Sequence, residues 1–454
     1  MSFNSMLFLW LFLPLCLAVY WLTRGRGRKA ALLGLSLFYW AWNDPYHVLI
    51  VLAVCLFVYA LSRQMDRSEG NTRKTWLWAG VALSLGMLVF CRYAPVMDGS
   101  KPLLLVPAGI SFIAFSLVSW LMDLYRKQTE LPANPADFMI YIAFFPKLLM
   151  GPIASARDFA EAVREEKHFD FEPFAGGVRQ YAWGLGKKVL IADALALVVQ
   201  RTFGDIAALT TGAAWVGALC YMLQIYYDFS GYSDMALGIS RMLGIELKKN
   251  FDYPYLSGSI TEFWRRWHIS LGTWFRQYLY IPLGGNRRGL GRTYFNLMMV
   301  FLATGIWHGT GMNYLLWGLL NGVLVVIERM GLLKVLQKPH MLWLSRLYAG
   351  FAVLMGWVLF RAENASAALS YYRRMFLPSA GTLTAVQLLQ PKVILLMVIG
   401  FIGSGFLQEL LSRFDRSEKP WLDHAVNCCA VVLLVLGIMG MVSGTFQSFI
   451  YAQF

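Results

Sequence analysis

Charge is scarce in this 454-residue chain: only 15% of its residues are Asp, Glu, Lys or Arg, and just 26 residues are acidic. A soluble domain carries about 25% charged residues and about 45 to 50% apolar ones, whereas the apolar share here is 58%. Too few charges exist to cover a water-facing globule, so the chain reads as a polytopic membrane protein. Cysteine is sparse as well. The six cysteines, at 16, 55, 91, 220, 428 and 429, fall mostly in apolar runs without Cys-x-x-Cys spacing, which suggests neither a disulfide frame nor a metal site. Long polar intervals are missing: the longest, about Arg157 to Arg179, falls well short of the roughly 50 residues of a small soluble domain. It contains Arg164-Glu-Glu-Lys-His168 and reads as a short amphipathic helix on the membrane surface. Residues 1–454 are therefore expected to form a single membrane-embedded domain.

What is present is a series of apolar segments, roughly 11 to 13 of which could cross or dip into a bilayer as helices. The expected fold is all-α. The first segment, Phe3 to Leu22, has no basic leader and no small-residue cleavage site, so it reads as a retained span rather than a signal peptide. Arg24, Arg26, Arg28 and Lys29 follow it at once, which assigns that end to the cytoplasm. Ala30–Tyr46 and His47–Leu61 then suit a helical hairpin, and the loop Ser62–Thr75 returns Arg63, Arg67, Arg73 and Lys74 to the same side. Basic cytoplasmic loops and anionic lipid account for most of the formal +14 charge, and nucleic acid is not implied. Pro and Gly interrupt three segments: Val106-Pro-Ala-Gly-Ile-Ser111, Phe144-Phe-Pro-Lys-Leu-Leu-Met-Gly-Pro152 and Ile281-Pro-Leu-Gly-Gly285. Non-helical backbone survives at membrane depth only where protein buries it or water lines it, so a polar tunnel or funnel is expected.

Between Thr261 and Gly289 the chain gathers five arginines, three tryptophans and His268. Glu262 to Gln277 reads as an amphipathic helix in which Arg265, Arg266 and Arg276 alternate with aromatic residues. Its guanidinium groups suit phosphate oxygens; interfacial anchoring by Arg and Trp is the other reading. His308 lies in Gly305-Ile-Trp-His-Gly-Thr-Gly311 within an apolar run. An ionisable side chain at that depth costs about 2.5 kcal/mol or more, so its default reading is functional. Gly305, Gly309 and Gly311 are expected to leave room for a substrate beside it. A neutral imidazole can take the proton of a hydroxyl that attacks a thioester. His268 could orient the acyl group or stabilise the oxyanion. Asp228 and Asp234, six residues apart on an apolar helix, point in roughly opposite directions unless Gly231 breaks it. They read as partners for buried cations rather than as a carboxylate dyad. Lys248 and Lys249 follow that helix.

These motifs resemble the membrane-bound O-acyltransferase family, in its bacterial branch typified by the alginate O-acetylation membrane protein. The resemblance is carried by Phe263-Trp-Arg-Arg-Trp-His-Ile-Ser270, Tyr278-Leu-Tyr-Ile-Pro-Leu-Gly-Gly-Asn-Arg287, Trp307-His-Gly309 and Asp228-Phe-Ser-Gly-Tyr-Ser-Asp234, and it covers about residues 106 to 320. It implies a multi-span acyltransferase in the bacterial inner membrane. The acetyl donor would be a cytoplasmic thioester such as acetyl-CoA, with no permanently bound cofactor, and the acceptor an exported polysaccharide such as alginate, cellulose or another exopolysaccharide. It further implies a periplasmic hydrolase-like partner and a polysaccharide synthesis complex. His308 matches the family's essential histidine and His268 its second motif position. Donor phosphates would meet Lys248, Lys249, Arg265, Arg266, Arg276, Arg287 and Arg288. Three positions depart from the pattern: Gln277 stands where an aspartate is common, Asn321 where a histidine is frequent, and Ile113 where an aromatic follows Gly-Ile-Ser-Phe.

Two other functions fit the composition. A transporter or flippase of a lipid-linked sugar predicts two similar halves with paired broken helices, yet the Trp-His segments occur only once. A scaffold for a polysaccharide synthase would have no use for a buried histidine among glycines.

Overall fold

The structure is a computed structural model, and it describes residues 1–98, 106–132, 134–163, 168–411, 421–443 and 449–450. Most of the surface charge cluster expected at 164–168 lies outside the described residues. Among the described residues the fold is helical, with one isolated parallel bridge, Leu209 to Leu383, and no strand. The chain divides into two compact units.

The first unit comprises Met1–Gly184 and Tyr232–Lys249. It contains α1 (Leu13–Leu22), α2 (Gly25–Asn43), α3 (Val48–Arg67), α4 (Gly70–Asp98), α5 (Ile110–Tyr125), α6 (Pro135–Ala143), α7 (Phe145–Leu148), α8 (Ala156–Val163) and most of α9 (Phe171–Gly186). Both helices expected between Ala30 and Leu61 are present, but α2 packs on α1, α6 and α7 and α3 on α4, α5 and α6 rather than on each other; α3 also continues to Arg67 and α4 begins at Gly70. The loop expected over Ser62–Thr75 therefore shrinks to Ser68 and Glu69. Polar residues at the end of a span extend the helix into the interface rather than ending it, because their backbone bonds are already satisfied by the helix. An aromatic cluster of Phe3, Phe8, Phe12, Tyr39, Phe145 and Tyr232 fills the core, with Phe3 stacked on Tyr232 at 5.0 Å.

The second unit comprises Leu185–Gly231 and Asn250–Ile450. After α10 (Asp193–Gly204) comes α11 (Thr211–Met242), whose first 21 positions, to Gly231, belong here. There follow α12 (Ile260–Arg266), α13 (Ile269–Phe275), α14 (Leu290–His308), α15 (Met312–Ile327), α16 (Leu333–Leu336), α17 (Leu342–Arg361), α18 (Ala365–Phe376), α19 (Ala385–Leu388), α20 (Pro391–Phe401), α21 (Leu407–Leu411) and α22 (Trp421–Val442). Helices α14 and α15 pack backbone to backbone. A Cβ on Gly318 would lie 2.4 Å from the Phe301 carbonyl oxygen, and one on Gly305 would lie 2.6 Å from that of Tyr314. Small residues at such crossings let helices approach where lipid offers no hydrophobic drive.

Among the described residues five helices are long and apolar enough to cross a membrane: Val48–Arg67, Gly70–Tyr93, Pro339–Arg361, Pro391–Leu410 and His424–Val442; Phe8–Leu22 and Ile110–Tyr125 are shorter apolar helices. On α22, Val431, Val432, Val435, Met439 and Val442 are all exposed. A soluble protein would not display such a face; a bilayer covers it. The chain is an all-α, multi-pass membrane protein.

Candidate active site

The segment from Glu262 to Gln277 is not the single helix its pattern suggested. It breaks at Trp267 and His268, where His268 takes the left-handed conformation (φ 45°, ψ 54°) and caps α13. A non-Gly residue there is held by its surroundings. The holding group is Asn250, whose Oδ1 accepts from the Ser270 amide at 3.1 Å, the Ser270 hydroxyl at 2.8 Å and His268 Nδ1 at 3.1 Å. The Ile269 amide also donates to the Asn250 carbonyl. Because a carbonyl oxygen only accepts, the His268 proton sits on Nδ1 and the lone pair on Nε2. That Nε2 is buried and has no hydrogen-bond partner among the described residues. The imidazole lies in a break outside the membrane-crossing helices. Burial, and then the neighbouring His308, push it well below its ordinary pKa and keep it neutral.

His308 ends α14 and is buried. Its Nδ1 donates to the Thr304 carbonyl at 2.7 Å, which again makes Nε2 the basic nitrogen. Trp307, Trp317 and Phe360 meet its ring edge-on at 4.5, 4.8 and 5.1 Å. Trp307 also lies 6.4 Å from the His268 ring, so one indole neighbours both histidines. The structure thus places His268 and His308 together, with the same tautomer. The glycines around His308 do not open space for a substrate, as their bareness suggested. A Cβ on Gly309 would lie 2.3 Å from the Tyr314 ring, and one on Gly311 would lie 2.2 Å from Asn313 Oδ1. They admit α15 instead. Asn321, at the position where histidine is frequent, accepts from Trp264 Nε1 at 3.1 Å and donates to the Trp317 carbonyl at 2.8 Å. It ties α12 to α15.

The basic residues separate into groups. Arg265 and Arg266 line one cavity of about 820 Å³ in the second unit. Arg266 is paired with Glu262 at 2.8 Å, while Arg265 is exposed. Arg276, Arg287 and Arg288 are exposed and do not line that cavity. Lys248 and Lys249 belong to the first unit, where Lys248 pairs with Asp158 at 2.7 Å. Gly231 leaves α11 continuous. Asp228 has the buried cation that its setting required: Lys188 Nζ lies 2.7 Å from both Asp228 and Asp193, and the Ile450 amide donates to Asp228 at 2.8 Å. Asp234, in the first unit, accepts from Gln180.

Two contributors were not singled out from sequence. Asn250, directly after the lysine pair, shapes the His268 turn. Glu328, fully buried, accepts from the Ile260 and Thr261 amides at 2.6 and 2.8 Å and so caps α12 from 67 and 68 residues away. Its signal was a lone carboxylate at the end of an apolar run. Among the described residues no group of His, Cys, Asp and Glu could hold a metal ion.

The model of the MBOAT family, membrane-bound O-acyltransferase, matches residues 35–372, further in both directions than the motifs reached. The chain is 35% identical to the Probable alginate O-acetylase AlgI of Pseudomonas putida over the full length of both proteins. It is 40% identical to the protein of that name from Azotobacter vinelandii, over 83% of this chain and 78% of the other. A Peptidoglycan O-acetyltransferase of Helicobacter pylori is 32% identical over 82% of this chain and 79% of its own. With both buried histidines inside the matched span, the chain belongs to the membrane-bound O-acyltransferase family and is an O-acyltransferase.

Proposed function

We propose that this protein transfers acetyl from a cytoplasmic thioester, acetyl-CoA, across the bacterial inner membrane for O-acetylation of an exported polysaccharide of the alginate, cellulose or related exopolysaccharide type. The observation that carries the reading is the paired geometry of His308 and His268, each with its Nδ1 proton engaged and its Nε2 basic, in a chain similar throughout to alginate O-acetylases. His308 Nε2 takes the proton of an attacking hydroxyl as that oxygen bonds to the thioester carbonyl carbon. The carbon–sulfur bond then breaks, and the thiolate leaves and takes up the proton as free thiol. His268, neutral and with no proton on Nε2, orients a donor N–H or O–H rather than stabilising an oxyanion.

Donor phosphates are met by basic residues of the set Lys248, Lys249, Arg265, Arg266, Arg276, Arg287 and Arg288. A tunnel within one membrane domain, residues 1–454 with its core at about 106–320, would carry the acyl group. A periplasmic hydrolase-like acetyltransferase within a polysaccharide synthesis complex would complete the transfer. The test is the O-acetyl content of exported polymer in cells carrying wild-type, His308→Ala or His268→Ala protein at matched membrane levels. Acetyl loss with unchanged polymer yield is expected. Unchanged acetyl overturns the assignment of the histidines, and loss of the polymer itself favours a transporter of lipid-linked sugar.

A further inference from the structure

The cavity of about 820 Å³ in the second unit carries more charge than its own groups neutralise. Arg265, Arg266, Lys338 and Arg346 line it, against Glu262 and Glu409. Arg266 is held by Glu262 at 2.8 Å, and Arg346 Nη2 by Glu409 at 3.0 Å. Arg265 and Lys338 have no carboxylate within ion-pair distance among the described residues, so two positive charges face the cavity uncompensated. Two further polar atoms on its wall, Arg346 Nε and Gln408 Oε1, are buried without a hydrogen-bond partner among the described residues. An orphaned guanidinium nitrogen beside two uncompensated cations is an arrangement that an anion with several acceptor oxygens completes.

The cavity also has a fixed place along the helices that form it. The membrane-crossing segment Pro339–Arg361 begins at its wall with Pro339, Leu342 and Arg346, and the segment Pro391–Leu410 ends there with Gln408 and Glu409. Two apolar segments running in opposite directions thus present the same end of a span. Trp343, Leu344 and Leu347, next to these wall residues, are exposed, and Arg346 lies 5.5 Å from the Trp343 ring. Aromatic and basic residues together at a span terminus mark the headgroup level.

We propose that this cavity binds a phosphate ester at the membrane interface, with Arg265 and Lys338 supplying the charge and Arg346 the directed N–H. Lys338 and Arg346 lie outside the basic set assigned to the donor. The phosphate can come from an anionic phospholipid headgroup or from the nucleotide part of a thioester donor; only the second source rests on the acetyl-transfer reading.

Purified full-length protein separates the two. In nanodiscs of phosphatidylcholine alone, coenzyme A affinity is measured by calorimetry; in detergent, retention of phosphatidylglycerol over phosphatidylcholine is measured by native mass spectrometry. Wild type and the Lys338→Arg variant are expected to bind at least one of the two. The Arg265→Gln/Lys338→Gln pair, both exposed and so safe for folding, is expected to weaken that binding about tenfold or more. Loss of phosphatidylglycerol retention alone identifies a lipid site, and loss of coenzyme A affinity alone a donor site. Unchanged binding of both ligands by this pair overturns the proposal. So does coenzyme A affinity that falls in Arg287→Gln/Arg288→Gln but not in Arg265→Gln/Lys338→Gln, with lipid retention unchanged throughout. Neither measurement reads polymer acetylation, so failure here leaves the histidine assignment standing, and the reverse also holds.

Discussion

Glu328 offers the sharpest test of how the His268 segment is held. Its carboxylate is fully buried and accepts the first two amides of α12, at 2.6 and 2.8 Å, while Ser259 takes the third. Hydrogen bonds to a charged acceptor contribute about 1.5 to 3 kcal/mol each, and a buried amide left without a partner costs about 1 to 3 kcal/mol. The α12 dipole adds a further increment of up to about 2 kcal/mol in a buried setting. Glu328→Gln keeps the shape but replaces one acceptor oxygen with an NH2 that faces an N–H donor. The expected cost is about 3 kcal/mol, and Glu328→Ala, which strands both amides, costs somewhat more. Glu262→Gln is the control, because Glu262 pairs with Arg266 at a half-exposed position where an ion pair contributes under about 1 kcal/mol. Thermal unfolding of the detergent-solubilised variants should fall by several degrees for Glu328→Gln and by much less for Glu262→Gln. Polymer O-acetylation should fall with Glu328→Gln at matched membrane levels, because α12 leads directly into the His268 turn. An unfolding midpoint and acetylation both at the wild-type value in Glu328→Gln would refute the reasoning.

Further expectations concern the neighbourhood of the histidines and the buried ion cluster. Asn250→Asp keeps the acceptor for Ser270 but places a carboxylate at 3.1 Å from His268 Nδ1, which favours the imidazolium and raises the His268 pKa. Transfer activity should then be lost as pH falls through that raised value, so the acid limb of the pH profile moves upward; an unmoved limb would exclude a role for neutral His268. Gly309→Ala should destabilise by about 1 to 3 kcal/mol through its clash with Tyr314, and Tyr314→Ala in the same chain should restore part of that. A variant that alters only the substrate KM would instead mean that the glycine keeps space for substrate. Lys188→Met leaves Asp193 and Asp228 buried without their cation and should cost about 3 to 5 kcal/mol. Adding Asp228→Asn should recover part of the lost thermal stability, and no recovery would argue against the pair.

Fold class was legible because it depends on composition and run length. Helices and closed barrels alone satisfy their backbone in lipid, and long unbroken apolar runs in a chain that is 58% apolar fit helices rather than the apolar–polar alternation of barrel strands. The two candidate histidines stand out in the sequence for a related reason: each interrupts an apolar or aromatic run, and interruptions are visible one residue at a time. What was misread is the local geometry around them. The apolar and basic alternation from Glu262 to Gln277 has helical spacing on both sides of His268, so periodicity alone predicts one helix. The break is imposed by Asn250, whose three acceptor contacts at His268 and Ser270 outweigh the cost of a left-handed residue.

The glycines around His308 show why a residue that lacks a side chain is the hardest to read. Their sequence states only that the backbone is bare, and the bareness serves whatever approaches it. For Gly309 and Gly311 that is Tyr314 and Asn313, five and two residues further along the chain, since α14 and α15 turn back on each other at Gly311. A close helix crossing beside His308 also explains the value of Asn321. From α15 it fixes Trp264 on α12, just as Glu328, beyond the end of α15, fixes the start of α12. The histidine helix packs on the same α15 that holds the His268 segment from two points. Any change in α15 packing is therefore transmitted to both imidazoles, which is why substitutions at Gly309, Asn321 and Glu328 should act together although none of them replaces a histidine.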